Sequence, residues 1–418
     1  YYHEVNLSNL TSDTTYHYKV SSTDNNGNKA QSEDKTFATI SPPPVSEWSN
    51  IPIIGSGQWP GIAWNGNGYG FVWVTKKPNT TTYDIYFSSL DINGNEVGDN
   101  IRITNHDELA TQHPNVGYVF PPEIVWNGSG YGVAWVGNEG SGQNLHFATL
   151  DSNGNKLSDI IVSIPDDNVP GQQNKPALVW TGNEYALSWA GGWPDYPVYF
   201  AKIASDGQTY IVNKKKAVTT AIANTANGPL VSLAWNGTNF GVAWQDIRDS
   251  NDPNKPAIYF NILDSNGNKL IDDFKVSGEG RVRSPEVFSD GANYSILWLE
   301  SIPDNPNINS IYFAQMDSSG NRLITNKSLD ITGDYGGYSS VAKSSDGYGI
   351  VWTSYPESRI YFKGIDLNGN IVLSDELVTA IEGNNGGKDI TWTGSKYVIV
   401  WQNVPPPYTQ SQLYFGSK

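Results

Sequence analysis

Apolar runs of four to six residues, broken by small polar turn residues, fill most of the chain, and the pattern repeats. An aromatic residue followed four positions later by a tryptophan recurs as Tyr69/Trp73, Tyr131/Trp135, Tyr185/Trp189, Phe240/Trp244, Tyr294/Trp298, Tyr348/Trp352 and Tyr397/Trp401. Successive tryptophans lie 62, 54, 55, 54, 54 and 49 residues apart, and self-similarity at such a period marks a repeat architecture. Ahead of each aromatic pair runs a short strand, as in Pro60–Trp64, Glu123–Trp126, Pro176–Trp180 and Val231–Trp235, then a turn such as Asn65-Gly66 or Asn127-Gly128. A third strand carries a paired aromatic (Tyr86-Phe87, His146-Phe147, Tyr199-Phe200, Tyr259-Phe260, Tyr312-Phe313, Tyr361-Phe362, Tyr414-Phe415). A second tight turn of the Asn-Gly-Asn type follows, and then a fourth strand. Asn and Gly tolerate the positive φ that hairpin turns need, so each unit reads as a four-stranded antiparallel meander. Seven such units predict an all-β, seven-bladed β-propeller, its aromatics packed between blades.

The seventh unit ends after its third strand, Leu413–Phe415. The segment Ser46–Ile53 precedes the first complete unit and is expected to supply the missing outer strand, which would remove an open edge. Pro52 fits an outermost strand, whose N–H side needs no partner, and Ile51 and Ile53 are expected to pack into the last blade.

Residues 1–40 break the repeat. Three strands are expected, at His3–Leu7, Thr15–Val20 and Lys35–Thr39, with Ser41–Pro44 as a stiff linker to a propeller over residues 45–418. Leu10-Thr-Ser-Asp-Thr14-Thr-Tyr16 resembles the Leu-x-Pro-x-Thr-x-Tyr corner of fibronectin type III domains, with Ser12 in place of the proline. The resemblance covers about half of a domain that normally runs to about 100 residues, and implies a partial sandwich with an incompletely covered face. Completion by another subunit, or docking of a remnant on its own propeller, are the two expectations that follow.

Composition narrows the partners. The 418 residues carry a formal net charge of -16, and no basic run exceeds Lys214–Lys216, which argues against nucleic acid or an anionic membrane as a main partner. No apolar run approaches the length of a membrane span, so membrane insertion is not expected. With no cysteine, disulfides and thiolate metal sites are excluded. The absence of an initiator Met and of a signal peptide suggests a processed or excised form, and abundant Asn, Ser, Thr, Gly and Tyr suit an extracellular or cell-surface protein.

Chemistry is sought on the face that carries the links between second and third strands and between blades, because those links vary while the other turns are uniform. From the paired tryptophan to the aromatic pair the distances are 13, 11, 10, 15, 14, 9 and 13 residues. Candidate ligand-binding residues there are Trp59, Trp193, Tyr196, Asp246, Arg248, Asp249 and Tyr408; exposed aromatics stack on sugars, and loop packing is their alternative use. His106 and His113 are a weak metal pair, and no metal or cofactor is assigned. The Asp-x-Asn-Gly-Asn turns, such as Asp91–Asn95, lack the later bidentate acid of an EF-hand and are read as hairpin turns. Asp246 and Glu300 each follow a paired tryptophan by two residues and form the one carboxylate pair on which glycoside hydrolysis could be argued, but no catalytic residue is assigned.

The run Leu233–Arg248 is similar to the repeat of secreted microbial propeller proteins, a resemblance that covers residues 45–418 and implies fold rather than activity; Phe288 and Lys343 depart from it at the first-strand tryptophan. Beside a fibronectin-like module, it implies an extracellular structural or adhesive surface protein, extended to a self-assembling filament subunit, whose partners are its own copies or other surface proteins. A glycan-binding propeller and a polysaccharide-active enzyme are the alternatives.

Overall fold

In the computed structural model the described residues are 11–418 apart from 12–13, 25, 39–47, 55, 78–81, 105–108, 112–119, 140–141, 163–174, 192–196, 217–229, 251, 253–254, 279–280, 303–304, 330–338, 355–357, 380 and 409. The chain divides into two compact units, Tyr1–Ser46 and Glu47–Lys418.

The larger unit is a seven-bladed β-propeller. Each blade is a four-stranded meander, as in blade 3, whose strands Ala177–Trp180, Glu184–Ala190, Val198–Ala204 and Tyr210–Lys216 pair in chain order. Blades 1 and 2 are joined into one sheet by Leu109–Thr111, which lies between the third strand of the first and the second strand of the next. The ring closes as expected. Ile51–Ile54 pairs antiparallel with Gln412–Ser417, with Pro52 opposite Tyr414 and Ile51 opposite Phe415. Ile51 and Ile53 pack on a cluster shared by blades 7 and 1 that includes Tyr69, Phe71, Val400 and Phe415. Just ahead of this strand, buried Trp48 packs against Phe362 of blade 6, the rings tilted and their centres 5.2 Å apart.

The repeated aromatics form the inter-blade core. Trp135, Trp189, Trp244, Trp298, Trp352 and Trp401 are fully buried. The first aromatic of each pair sits against the neighbouring blade: Tyr131 lies 5.1 Å from Phe87, and Tyr185 lies 4.9 Å from Phe147. For Tyr131, Tyr185 and Tyr294 the hydroxyl is held by the turn of that same neighbouring blade. Asn65 Nδ2 donates to Tyr131 at 2.7 Å, and Asn127 Nδ2 donates to Tyr185 at 2.6 Å. The other side of the same amide closes its own turn, since Asn127 Oδ1 accepts the amides of Ser129 and Gly130. Where the aromatic is Phe240, the preceding turn begins with Thr181, which has no amide to offer and faces no hydroxyl to satisfy.

The second turns are Asx turns. Asp151 Oδ1 accepts the amides of Asn153 and Asn155, and Asn155 Nδ2 reaches Asp151 Oδ2. Gly154 there holds φ 91, and a Cβ would lie 2.3 Å from Phe87 of the neighbouring blade, so the position requires glycine twice over.

In the smaller unit Thr15–Tyr18 pairs with Lys35–Ala38, and Ser21–Thr23 pairs with Lys29–Gln31 around a turn closed by Asp24. These are two separate two-stranded sheets, and none of this unit's described residues is buried. The strand expected at His3–Leu7 and the linker at Ser41–Pro44 lie outside the described residues.

Candidate functional site

Every blade's innermost strand starts from the link between blades, so in all seven it runs in the same sense along the axis. Equivalent positions therefore form rings. The strand register puts Ser289 opposite Tyr294 and Lys343 opposite Tyr348, so the inner tryptophan is replaced in blade 5 by Ser289 and not by Phe288. Three residues before the inner tryptophan, or before Ser289 and Lys343, stand Gly61, Glu123, Ala177, Ser232, Glu286, Ser340 and Asp389. Small residues suit a crowded axis; three carboxylates there need an explanation.

The acids converge with a lysine. Lys175, just ahead of the inner strand of blade 3, pairs with Glu123 of blade 2 at 2.7 Å, and the field at its ammonium includes Glu286 and Asp389. Residues of blades 2, 3, 5 and 7 can act on one another this way only across the axis. Burial pulls the lysine down, but the three carboxylates outweigh it and raise its pKa. Burial raises Glu123 against the opposing pull of Lys175. About a third of the Lys175 side chain still reaches solvent, so the group is enclosed rather than dry.

The members of the ring are not equally committed. Asp389 is saturated: Oδ2 accepts the Ile62 amide of blade 1 at 3.0 Å, and Oδ1 accepts Ser340 Oγ at 2.8 Å and the Ile390 amide at 2.9 Å. Ser232 plays the matching part between blades 4 and 5, accepting the Val287 amide at 3.0 Å. These side chains knit one inner strand to the next. Glu286 makes no such bond among the described residues, and burial, reinforced by Glu123 and Asp389 against the pull of Lys175, pushes its pKa up to about 7.

Beside this ring the inner strand is bulged, among the described residues, in three blades, between Gln58 and Gly61, Arg283 and Glu286, and Gly386 and Lys388. Each bulge holds a residue at positive φ: Trp59 at 52°, Ser284 at 52° and Gly387 at 37°. For non-glycine residues this costs about 1–3 kcal/mol each, and such strain gathers at functional sites. Trp59 is half-buried; its amide faces Gln402 Oε1 at 3.4 Å, and Gly387 approaches so closely that a Cβ there would lie 3.2 Å from Trp59 Cε3.

The other sequence candidates divide. Asp246 is buried and accepts the Trp244 indole N–H at 3.0 Å, the Arg248 amide and the Arg248 guanidinium. Arg248 also reaches Asp273 at 2.7 Å and lies over the Tyr259 ring. Hydrogen bonds from Lys275 and Tyr259 hold Asp249 below the usual carboxylate range. The cluster is an internally paired clamp on a loop of blade 4. Glu300 likewise accepts the Trp298 indole N–H at 3.0 Å. The suggested Asp246/Glu300 pair is thus two caps on two core tryptophans, each engaged in its own blade. Tyr408 is 61% exposed, at φ 63, in a turn closed by its amide on Pro405 O. Trp193, Tyr196, His106 and His113 lie outside the described residues. No group of three or more His, Asp or Glu that could hold a metal occurs among the described residues.

No protein-family model matches the chain, and no curated protein matches it in sequence. Solved structures match in shape. Puromycin hydrolase gives a TM-score of 0.52 at 13% identity, over 86% of this chain and 52% of that one. A protein of unknown function from Dyadobacter fermentans gives 0.50 at 10% identity, over 88% of this chain and 97% of its own. An α-L-arabinofuranosidase from Fusarium graminearum gives 0.47 at 8% identity, over 88% and 97%. At such identities the likeness is one of fold alone.

Proposed function

We propose that the chain is an extracellular, adhesive recognition propeller that binds carbohydrate at the axial end where its inner strands begin. The carrying observation is the grouping of Trp59 with two further positive-φ positions beside a ring of carboxylates, with the side-chain amide of Gln402 at the tryptophan. An aromatic face beside fixed amides and carboxylates is the chemistry that holds polyhydroxylated rings, and strained bulges have no other evident use there. Tyr408 adds an exposed aromatic on the same face. Screening neutral and charged oligosaccharides on a glycan array tests this. Trp59→Ala is expected to lower binding by at least roughly ten-fold, about 1.4 kcal/mol; no binding by the unaltered protein to any glycan rejects the reading. Release of shortened products from a bound oligosaccharide would instead favour the polysaccharide-active alternative.

A second reading concerns the smaller unit. None of its described residues is buried, with Tyr18 at 40% and Val20 at 61% exposure, so among the described residues of the unit no layer covers its strands. Association with another copy or another surface protein, on a half-domain of fibronectin type III kind, would supply that layer. Light scattering of the chain with and without residues 1–46 decides: the same monomeric mass for both rejects it.

A further inference from the structure

We infer that the axial site selects a sugar carrying a protonated amine, with Glu286 as the group that recognises the charge. This rests on the carbohydrate reading above and names the ligand class for that site.

Four polar or charged side chains of the ring besides Glu286 already have work. Asp389 and Ser340 bond each other and two backbone amides, Ser232 takes a third, and Glu123 is paired with Lys175. Glu286 is enclosed by the same wall, yet no described residue donates a hydrogen bond to it. With all groups ionised the cluster holds three negative charges and one positive, so it lacks cationic partners. A second, independent sign lies on the same bulge. Ser284, two residues before Glu286, is 4% exposed, sits at φ 52, and its Oγ has no hydrogen-bond partner among the described residues. Buried hydroxyls are nearly always satisfied, and an unsatisfied one costs about 1–3 kcal/mol. A strained segment that carries an uncompensated carboxylate is suited to a ligand that brings a positive charge and a hydrogen-bond donor to Glu286, as an ammonium does. An ammonium would also supply the missing counter-charge and hold Glu286 ionised. The net charge of -16 favours approach of cations over anions.

The test compares chitotetraose with the tetramer of glucosamine, by calorimetry near neutrality, where Glu286 is partly ionised and the free amines still carry part of their protons. The unaltered protein is expected to bind the glucosamine tetramer roughly ten-fold more tightly, about 1.4 kcal/mol. Glu286→Gln is expected to abolish that preference, the glucosamine tetramer losing clearly more affinity than chitotetraose. Lys175→Met, which removes the competing cation, is expected to widen it; a site that is merely damaged would weaken both ligands together. Equal binding of the two tetramers by the unaltered protein overturns the inference and leaves the carbohydrate reading standing. Persistence of the preference in Glu286→Gln also overturns it. Binding of neither tetramer removes the inference, and removes the carbohydrate reading with it if the glycan array is blank too.

Discussion

Asn127 shows how much one side chain does in this repeat. It closes its own turn through Oδ1 and holds the tyrosine of the next blade through Nδ2. Asn127→Ala is expected to cost about 2 kcal/mol in urea unfolding, since each bond contributes about 0.5–1.5 kcal/mol net. Tyr185→Phe should cost less, and the double substitution Asn127→Thr with Tyr185→Phe, which copies the natural Thr181/Phe240 pairing, should cost less than the sum of Asn127→Thr and Tyr185→Phe made singly, with a coupling of about 1 kcal/mol. Strict additivity would show that the bond is not formed. At the axis, the raised pKa of Glu286 fixes a sign. The folded protein holds this proton up to about pH 7, while an unfolded carboxylate releases it at the ordinary, lower pH. Between those points the native state binds more protons, so this group makes stability fall as pH rises through that window. Melting temperatures of Glu286→Gln should therefore decline less over that interval than those of the unaltered chain; parallel curves would contradict it. The sequence misled at Asp246 and Glu300 for a related reason. Spacing from the tryptophan gave their strand position, but not that each would cap an indole N–H in its own blade. The axial acids were overlooked because Gly, Ala and Ser share their column, and the column appears only when the repeats are aligned on the inner tryptophan.

At the level of the strand and turn, the repeats were legible because their signals are local: Gly at positive φ, Asn or Asp before it, apolar runs between. The turns also make a prediction that separates two costs. Gly128 and Gly154 both hold φ near 90°, at 97° and 91°, but a Cβ on Gly128 meets nothing within 4 Å while one on Gly154 meets Phe87 at 2.3 Å. Gly154→Ala should be more destabilising than Gly128→Ala by about 1–3 kcal/mol, the usual cost of overpacking. Equal losses in chemical denaturation would mean that the neighbouring blade yields freely. The bulges at Trp59, Ser284 and Gly387 were not legible. Nothing in the residue types of Trp59 or Ser284 announces positive φ.

For the whole molecule, closure depends on a contact between residues more than 350 positions apart in the chain, Ile51 with Phe415. Removal of residues 1–46 should leave the propeller's melting temperature within a few degrees, because Ile51–Ile54 and Trp48 remain. Removal of residues 1–54 should lower it steeply, since blade 7 loses its outer strand and Gln412–Ser417 becomes an open edge. Similar melting of the two truncations would show that the seam contributes little.

That seam also sets how the molecule responds to load. The incoming strand starts beside Phe415 and the final strand leaves by the same side, so tension applied between residue 48 and residue 418 parts their hydrogen bonds one after another rather than all together. A single-molecule pull on those two points should register a low, gradual first yield, whereas handles placed at opposite ends of that strand pair, on residue 54 and residue 418, would load every rung at once and meet a much stiffer joint.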